Sequence, residues 1–163
     1  KAKASLIEIS VLKNTQKKEL SISIADNGCG MTEKQVARVI DPFYTTRTTR
    51  KVGLGVPFFK LSAELTGGRF QIESKPGIGT KICSVYCYEH IDMMPLGDMA
   101  ATMVSLISVN PDIDFVYTCK KDEQGFVLDT REVKVILEGL PVNSSEVLTF
   151  IRQYIEENEK EIE

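Results

Sequence analysis

Residues 20–31 read Leu20-Ser21-Ile22-Ser23-Ile24-Ala25-Asp26-Asn27-Gly28-Cys29-Gly30-Met31. Leu20, Ile22 and Ile24 recur at period two, which predicts a half-buried strand over 19–25. The strand runs directly into an acid and two glycines. An Asp at a strand end can accept a hydrogen bond from an exocyclic amino group, such as the one adenine carries at N6. The glycines let the backbone turn sharply and approach a ligand closely. Asp-Asn-Gly is also a common turn, so this stretch alone leaves turn and ligand site both open.

Upstream, Ile7, Ile9 and Val11 repeat the alternation over 5–12. The polar stretch 14–18 joins the two as an antiparallel hairpin. Downstream, Thr32 with Gln35 three residues on forms a capping box for a helix over 33–40. Asp41-Pro42 ends it, because the residue before a proline avoids the helical region. Residues 43–55 read as a loop. A second helix over 56–66 takes Pro57 in its first turn. Phe58, Leu61, Ser62 and Leu65 are expected as its inner stripe, with Gly67 as its stop. Strands follow at 69–74 and 80–88, joined by a turn at 75–79.

The chain has 163 residues, 20 Lys plus Arg against 23 Asp plus Glu, and a net charge of −3. A hydrophobic content of 42% is too high for a disordered tail. No run approaches the roughly 18–20 apolar residues of a membrane span. The net charge favours neither nucleic acid nor a membrane surface as partner. The charge is unevenly divided: residues 1–90 carry 14 basic and 8 acidic side chains, residues 91–163 carry 6 and 15. This shift, with the Met93-Met94-Pro95-Leu96-Gly97 stretch, sets the expected boundary between a segment 1–90 and a small acidic segment 91–163. The first residue is Lys, so the chain is expected to be a fragment or a processed form.

The acidic segment reads αββαα. A helix is expected over 98–108 with Met99, Met103, Leu106 and Ile107, then a hairpin of strands at 113–119 and 125–128. A helix capped by Asp129 and Glu132 follows, with Val133, Ile136, Leu137 and Leu140 at helical spacing. A strand at 133–137 competes, since Val133, Val135 and Leu137 also alternate. A last helix after Asn143 and Glu146 presents Val147, Leu148, Ile151, Tyr154 and Ile155. No chemistry is recognisable in this segment, and a regulatory, docking or dimerising role is expected. Cys29, Cys83, Cys87 and Cys119 have no metal-ligand spacing and no disulfide framework, so a reducing, cytoplasmic setting is expected.

Three further features bear on chemistry. Gly53-Leu54-Gly55 opens a helix, where free backbone N–H groups and the helix dipole suit a phosphate. Thr45-Thr46-Arg47-Thr48-Thr49-Arg50-Lys51 places three cations and four hydroxyls just before it. Gly77-Ile78-Gly79-Thr80 leads into the last strand of the first segment. Each alone is weak: neither a GxxxxGK[ST] loop nor a GxGxxG after a strand is present.

In order, however, Asp-Asn-Gly-Cys-Gly-Met, Asp-Pro-Phe-Tyr-Thr-Thr, Gly-Leu-Gly-Val before a helix, Gly-Gly-Arg-Phe-x-Ile-x-Ser and Gly-x-Gly-Thr resemble the histidine-kinase-like ATPase superfamily. That family takes in sensor histidine kinases, type II topoisomerases, heat-shock chaperone ATPases and mismatch-repair ATPases. The wording of 41–80 is most similar to sensor histidine kinases, and the resemblance covers about residues 1–88. It implies an α+β fold, an α/β sandwich of a mixed, mostly antiparallel sheet with helices on one face. It implies that Asp26 binds the adenine amino group, with Gly28 and Gly30 beside the base and Thr80 closing that side. Phe43 would start a lid, Thr46, Arg47, Arg50 or Lys51 would meet phosphates, and Gly53, Leu54 and Gly55 would line the triphosphate.

The resemblance further implies ATP and Mg2+ as ligands and phosphoryl transfer to a His elsewhere, with a phosphoacceptor or response-regulator protein or a second copy of the chain as partner. In the family a helix before the first strand carries a magnesium-binding Asn and, in hydrolytic branches, a catalytic Glu. Lys1-Ala2-Lys3-Ala4-Ser5 looks like the tail of that helix, so both would lie upstream of Lys1, no catalytic residue is assigned here, and weak binding with little turnover is expected. His90 follows a strand and is not expected to be a phosphoacceptor. A non-catalytic interaction module and a mismatch-repair-type ATPase are the alternatives.

Overall fold

A computed structural model describes residues 2–41 and 54–162. The hairpin at the start forms as its alternation requires: β1 (Leu6–Asn14) and β2 (Glu19–Asp26) pair antiparallel, with Ile9 opposite Ile24 and Val11 opposite Ile22. Asn14 turns the chain by accepting the Lys17 N–H on its side-chain oxygen at 2.8 Å. β3 (Arg69–Lys75) and β4 (Gly79–Cys87) form a second hairpin, and β4 lies antiparallel to β2. Two strands from the acidic segment, β5 (Asp114–Lys121) and β6 (Gln124–Asp129), extend the same sheet. β5 runs parallel to β1, giving the order β3-β4-β2-β1-β5-β6.

Directly paired residues share a face, so register defines the core. Ile82, Ser84 and Tyr86 of β4, Leu20 and Ile22 of β2, Ile9 and Val11 of β1, and Phe115, Tyr117 and Cys119 of β5 all point one way. Helices cover that face. α2 (Gly55–Leu65) packs over β3 and β4; α3 (Met99–Val109) packs on α5 (Ser145–Ile162), which covers β5 and β6. Met103 and Ile107 of α3 meet a core that includes Ile151 and Ile155 of α5, all essentially without solvent exposure. Burial of one such side chain is worth about 1.5–3 kcal/mol. The opposite face carries Ser10, Ser21, Ser23, Cys83 and Thr118, small or polar groups suited to solvent. The architecture is the α/β sandwich that the resemblance implied, and the αββαα order of the acidic segment is as read.

α1 (Glu33–Val39) starts at the expected capping box: Thr32 Oγ1 accepts the Gln35 N–H, and Gln35 Oε1 accepts the Thr32 N–H. The stretch 130–136 is helix, α4 (Thr130–Ile136), and not the competing strand. Asp129 caps it by accepting the Arg131 N–H at 2.9 Å. Ile136 and Leu140 nevertheless face solvent, while Val133 and Leu137 pack on the core.

The inner stripe expected for α2 is a second difference. Phe58, Leu61 and Leu65 are each at least half exposed, and only Ser62 of that set turns inward. The buried positions are Pro57, Ala63 and, just beyond the helix, Thr66. Polar anchors set this rotation: Ser84 Oγ donates to the Phe59 carbonyl at 2.8 Å, and Ser62 Oγ bonds the Tyr86 hydroxyl at 3.1 Å. Phe59 then fits edge-on between Phe70 and Tyr86. Both stripes satisfy a 3.6-residue period, so spacing alone does not choose between them. Residues 2–5 also differ from expectation: they are not helical, and the Ala2 carbonyl accepts the Cys29 N–H.

The rotation of α2 has a direct test in chemical denaturation. Ala63→Leu overpacks the helix–sheet contact and costs about 1–3 kcal/mol. Leu61→Ala, on the exposed face, changes stability by about 0.5 kcal/mol or less. The reverse ranking would contradict the orientation described.

Candidate nucleotide site

Asp26 is the last residue of β2, and its register partner on β4 is Thr80. The two side chains therefore leave the sheet side by side, on the face that also carries Ile24 and Ile82. Asp26 Oδ1 accepts the Gly28 N–H at 2.8 Å, an Asx-type turn that aims the chain back across the strand end. The Asp26 side chain accepts no other hydrogen bond among the described residues, which leaves Oδ2 for an outside donor.

Thr80 is fixed through Ser74. The Ser74 hydroxyl donates to the Gly79 carbonyl at 2.9 Å and accepts the Met31 N–H at 2.8 Å. Its single proton being used there, the Thr80 hydroxyl donates to Ser74 Oγ at 2.8 Å. Thr80 is thereby left as an acceptor toward the cavity beside it. That cavity is about 580 Å³, open on one side, with Asp26 and Thr80 in its wall beside the apolar Val36, Ile72 and Ile78. Acceptors on an apolar wall suit a flat heterocycle that donates through an amino group.

The turn after β2 is packed backbone on backbone against the turn before β4. Gly77 N–H donates to the Cys29 carbonyl at 2.8 Å. Gly30 has φ +63°, and a Cβ there would overlap the Lys75 carbonyl. Gly79 has φ +135°, and a Cβ there would overlap the Asp26 carbonyl. A Cβ at Gly28 would overlap Ala2. Glycine is needed at 28, 30 and 79 for room, and at 30 and 79 also for conformation.

Asn27 is a positioning residue that sequence reasoning missed. Its Oδ1 accepts the N–H groups of Ser5 and Leu6 at 2.9 and 3.0 Å, and its amide donates to Ser5 Oγ at 2.9 Å. It ties the glycine turn to the start of β1. The partners lie more than 20 positions away, so no local pattern announces them. Ser74 was likewise unassigned.

Of the other sequence-assigned residues, Leu54 and Gly55 stand at the start of α2. Leu54 is the cap position but makes no side-chain cap bond, so the first-turn N–H groups have no side-chain acceptor from it. Open space surrounds Gly55. Neither residue lines the cavity at Asp26. Phe43, Thr46, Arg47, Arg50, Lys51 and Gly53 lie outside the described residues. Among the described residues, no group of three or more His, Cys, Asp or Glu is arranged to hold a metal ion. His90 sits in an exposed turn after β4, its Nδ1 accepting the Asp92 N–H at 3.2 Å.

The packed turns predict a contrast between two glycines. Gly79→Ala meets both a forbidden φ and the Asp26 carbonyl, and loses roughly 2–4 kcal/mol in urea unfolding. Gly77→Ala, with φ +76° but open space, costs only about 1–2 kcal/mol. Equal losses would show that the turn-to-turn contact is not the constraint.

The stretch of sequence that builds this site is similar to known proteins. Residues 1–88 match the family model described as histidine kinase-, DNA gyrase B- and HSP90-like ATPase. The chain is 36% identical over 93 residues to hybrid signal transduction histidine kinase F of Dictyostelium discoideum, covering 53% of this chain and 8% of that protein. It is 38% identical over 69 residues to sporulation kinase E of Bacillus subtilis, covering 42% of this chain and 9% of that one. It is 30% identical over 83 residues to sensor histidine kinase YvrG of Bacillus subtilis, covering 48% and 14%. The matched stretch is thus a small part of each relative's length. With its model matched over more than half of the chain, and with the sheet and glycine turns in place, the chain belongs to the family of histidine kinase-, DNA gyrase B- and HSP90-like ATPases.

Proposed function

We propose that residues 1–90 bind ATP as the nucleotide domain of a histidine-kinase-type signalling protein. The observation that carries this is the Asp26–Thr80 pair on adjacent strands, beside an apolar cavity. Asp26 accepts a hydrogen bond from the adenine amino group through Oδ2, while Gly28 holds Oδ1. Gly28 and Gly30 allow the turn to lie against the base. Thr80 offers its oxygen as a second acceptor. Val36, Ile72 and Ile78 exclude water from the rings.

The phosphates run toward the start of α2, whose first-turn N–H groups and positive dipole end favour an anion. Leu54 and Gly55 form that end. Gly53 with Thr46, Arg47, Arg50 and Lys51 precedes it, and Phe43 opens the same stretch, so the cations and hydroxyls are close in sequence to where phosphate charge is met. Catalysis of phosphoryl transfer rests on positioning and charge neutralisation. Among the described residues, no group of three or more His, Cys, Asp or Glu is arranged to hold magnesium. The phosphoryl acceptor is a His on another segment or another protein, since His90 lies in an exposed turn rather than on a helix. The relatives are sensor and hybrid kinases by name, which supports a response-regulator partner. The acidic residues 91–163 serve as a contact surface. Among the described residues no helix is long and apolar enough to cross a membrane.

Calorimetry with ATP and GTP tests the adenine assignment. Asp26→Asn places an amide where an acceptor is needed and weakens ATP binding about 10- to 100-fold, the cost of a lost charged hydrogen bond. GTP, which presents a carbonyl where adenine presents its amino group, binds at least tenfold more weakly than ATP. Equal binding of the two nucleotides, or an Asn variant that binds like the parent, would contradict the reading.

A further inference from the structure

Ser74, Thr80 and Asp26 stand in one cross-strand row over β3, β4 and β2, since Thr80 is the register partner of both others. All three line the cavity of about 580 Å³ from the covered face of the sheet. Glu73, Lys75 and Lys81 also border it, but strand alternation turns their side chains to the opposite face. Glu33 of α1 is exposed beside it and, as a carboxylate, adds no donor.

The protons of the row can be placed. A serine hydroxyl has one proton and two lone pairs. The Met31 N–H, 2.8 Å away, occupies one lone pair of Ser74. The Gly79 carbonyl, 2.9 Å away, takes the Ser74 proton, because a carbonyl can only accept. One lone pair is left for Thr80 Oγ1 at 2.8 Å, so the Thr80 proton points back toward β3. Asp26 Oδ1 holds the Gly28 N–H, and Oδ2, a carboxylate oxygen, only accepts. A threonine hydroxyl is ordinarily free to donate or accept, and here the neighbouring serine removes that freedom. Cross-strand partners hold their Cβ atoms about 4.5–5.5 Å apart. At that spacing two acceptors can share the two hydrogens of one amino group.

We propose that Ser74 is a specificity-determining residue of the nucleotide site: by locking the Thr80 hydroxyl as an acceptor, it makes the site take 6-aminopurine nucleotides and reject 6-oxopurine ones. The inference rests on the nucleotide reading above and adds to Asp26 a second selecting group. Ser74 acts through Thr80 and is a positioning residue. The amino group of a 6-aminopurine gives one hydrogen to Asp26 Oδ2 and the other to Thr80 Oγ1. A 6-oxopurine can still give its ring N–H to Asp26, but its oxygen then meets the lone pairs of Thr80. Two acceptors facing each other away from water are both left unpaired, which is the costly arrangement. A Thr80 proton free to turn outward would bond that oxygen, and the oxo base would be accepted.

Calorimetric titration of the full chain with ATP and inosine triphosphate, which differ only in the 6-substituent and the adjoining ring proton, tests the proposal. Ser74→Ala frees the Thr80 proton and raises the affinity for inosine triphosphate relative to ATP at least about fivefold over the parent. Ser74→Thr keeps one hydroxyl proton and holds the parent's ratio within about twofold. Thr80→Val removes the opposing acceptor and raises the ratio as well, which keeps the test decisive if Ser74→Ala fails to fold. A merely structural Ser74 would weaken both nucleotides alike. An unchanged ratio in folded Ser74→Ala, or in Thr80→Val, overturns the inference, while ATP binding that still depends on Asp26 leaves the nucleotide reading standing. Absence of ATP binding by the parent overturns both.

Discussion

Everything at the candidate site depends on one contact between two backbones: the Gly79 Cα against the Asp26 carbonyl. Because no side chain intervenes, β2 and β4 stay paired to their last residues, and Asp26 and Thr80 leave the sheet together. A single methyl group at 79 would push the strands apart where the two acceptors must be adjacent. Around this contact the structure adds polar ties that cost little in isolation. Ser74 links Met31, Gly79 and Thr80, and Asn27 links the turn to β1. The acceptors are held by hydrogen bonds that are already satisfied, so a ligand need not organise them.

The same sheet connects the two segments that charge separates. The change from basic to acidic composition falls between β4 and α3, yet β5 hydrogen-bonds along the whole of β1. Parallel pairing needs a crossover, and residues 88–113 with α3 supply it. A further tie joins the hairpin tips, where Asp122 accepts from the Thr15 N–H and hydroxyl; these bonds hold its carboxyl below the usual carboxylate range. At the centre of β5, burial pushes the Tyr117 hydroxyl far above its ordinary value, so it remains a donor to Glu159. The core runs from Ile9 and Val11 of β1 to Ile151 and Ile155 of α5 without interruption.

Much of this was legible in residue order. Strand alternation at 7–11 and 20–24 needs only period two, and the Thr32–Gln35 cap only three-residue spacing. The glycine turns declared themselves as a set, since three separate close approaches each demand a residue without a Cβ. The rotation of α2 was not legible, because Phe58-Phe59 offers two apolar stripes of equal period. Contacts from Ser84 and Tyr86, distant in sequence, choose between them. Asn27 was missed because its partners on β1 are remote; Ser74 closes a quoted motif, but its role was hidden because the Met31 N–H it accepts is 43 positions away. The parallel placement of β5 beside β1 has no local signal either.

The central claim is that the Asp26–Thr80 pole is where the nucleotide sits. Backbone amide shifts during an ATP titration test it most directly. The account predicts saturable shifts at 26–30, 77–80 and the first turn of α2, with residues 93–97 and 119–121 unmoved. Shifts centred on 93–97, or none at the glycine turns at saturating ATP, would contradict it.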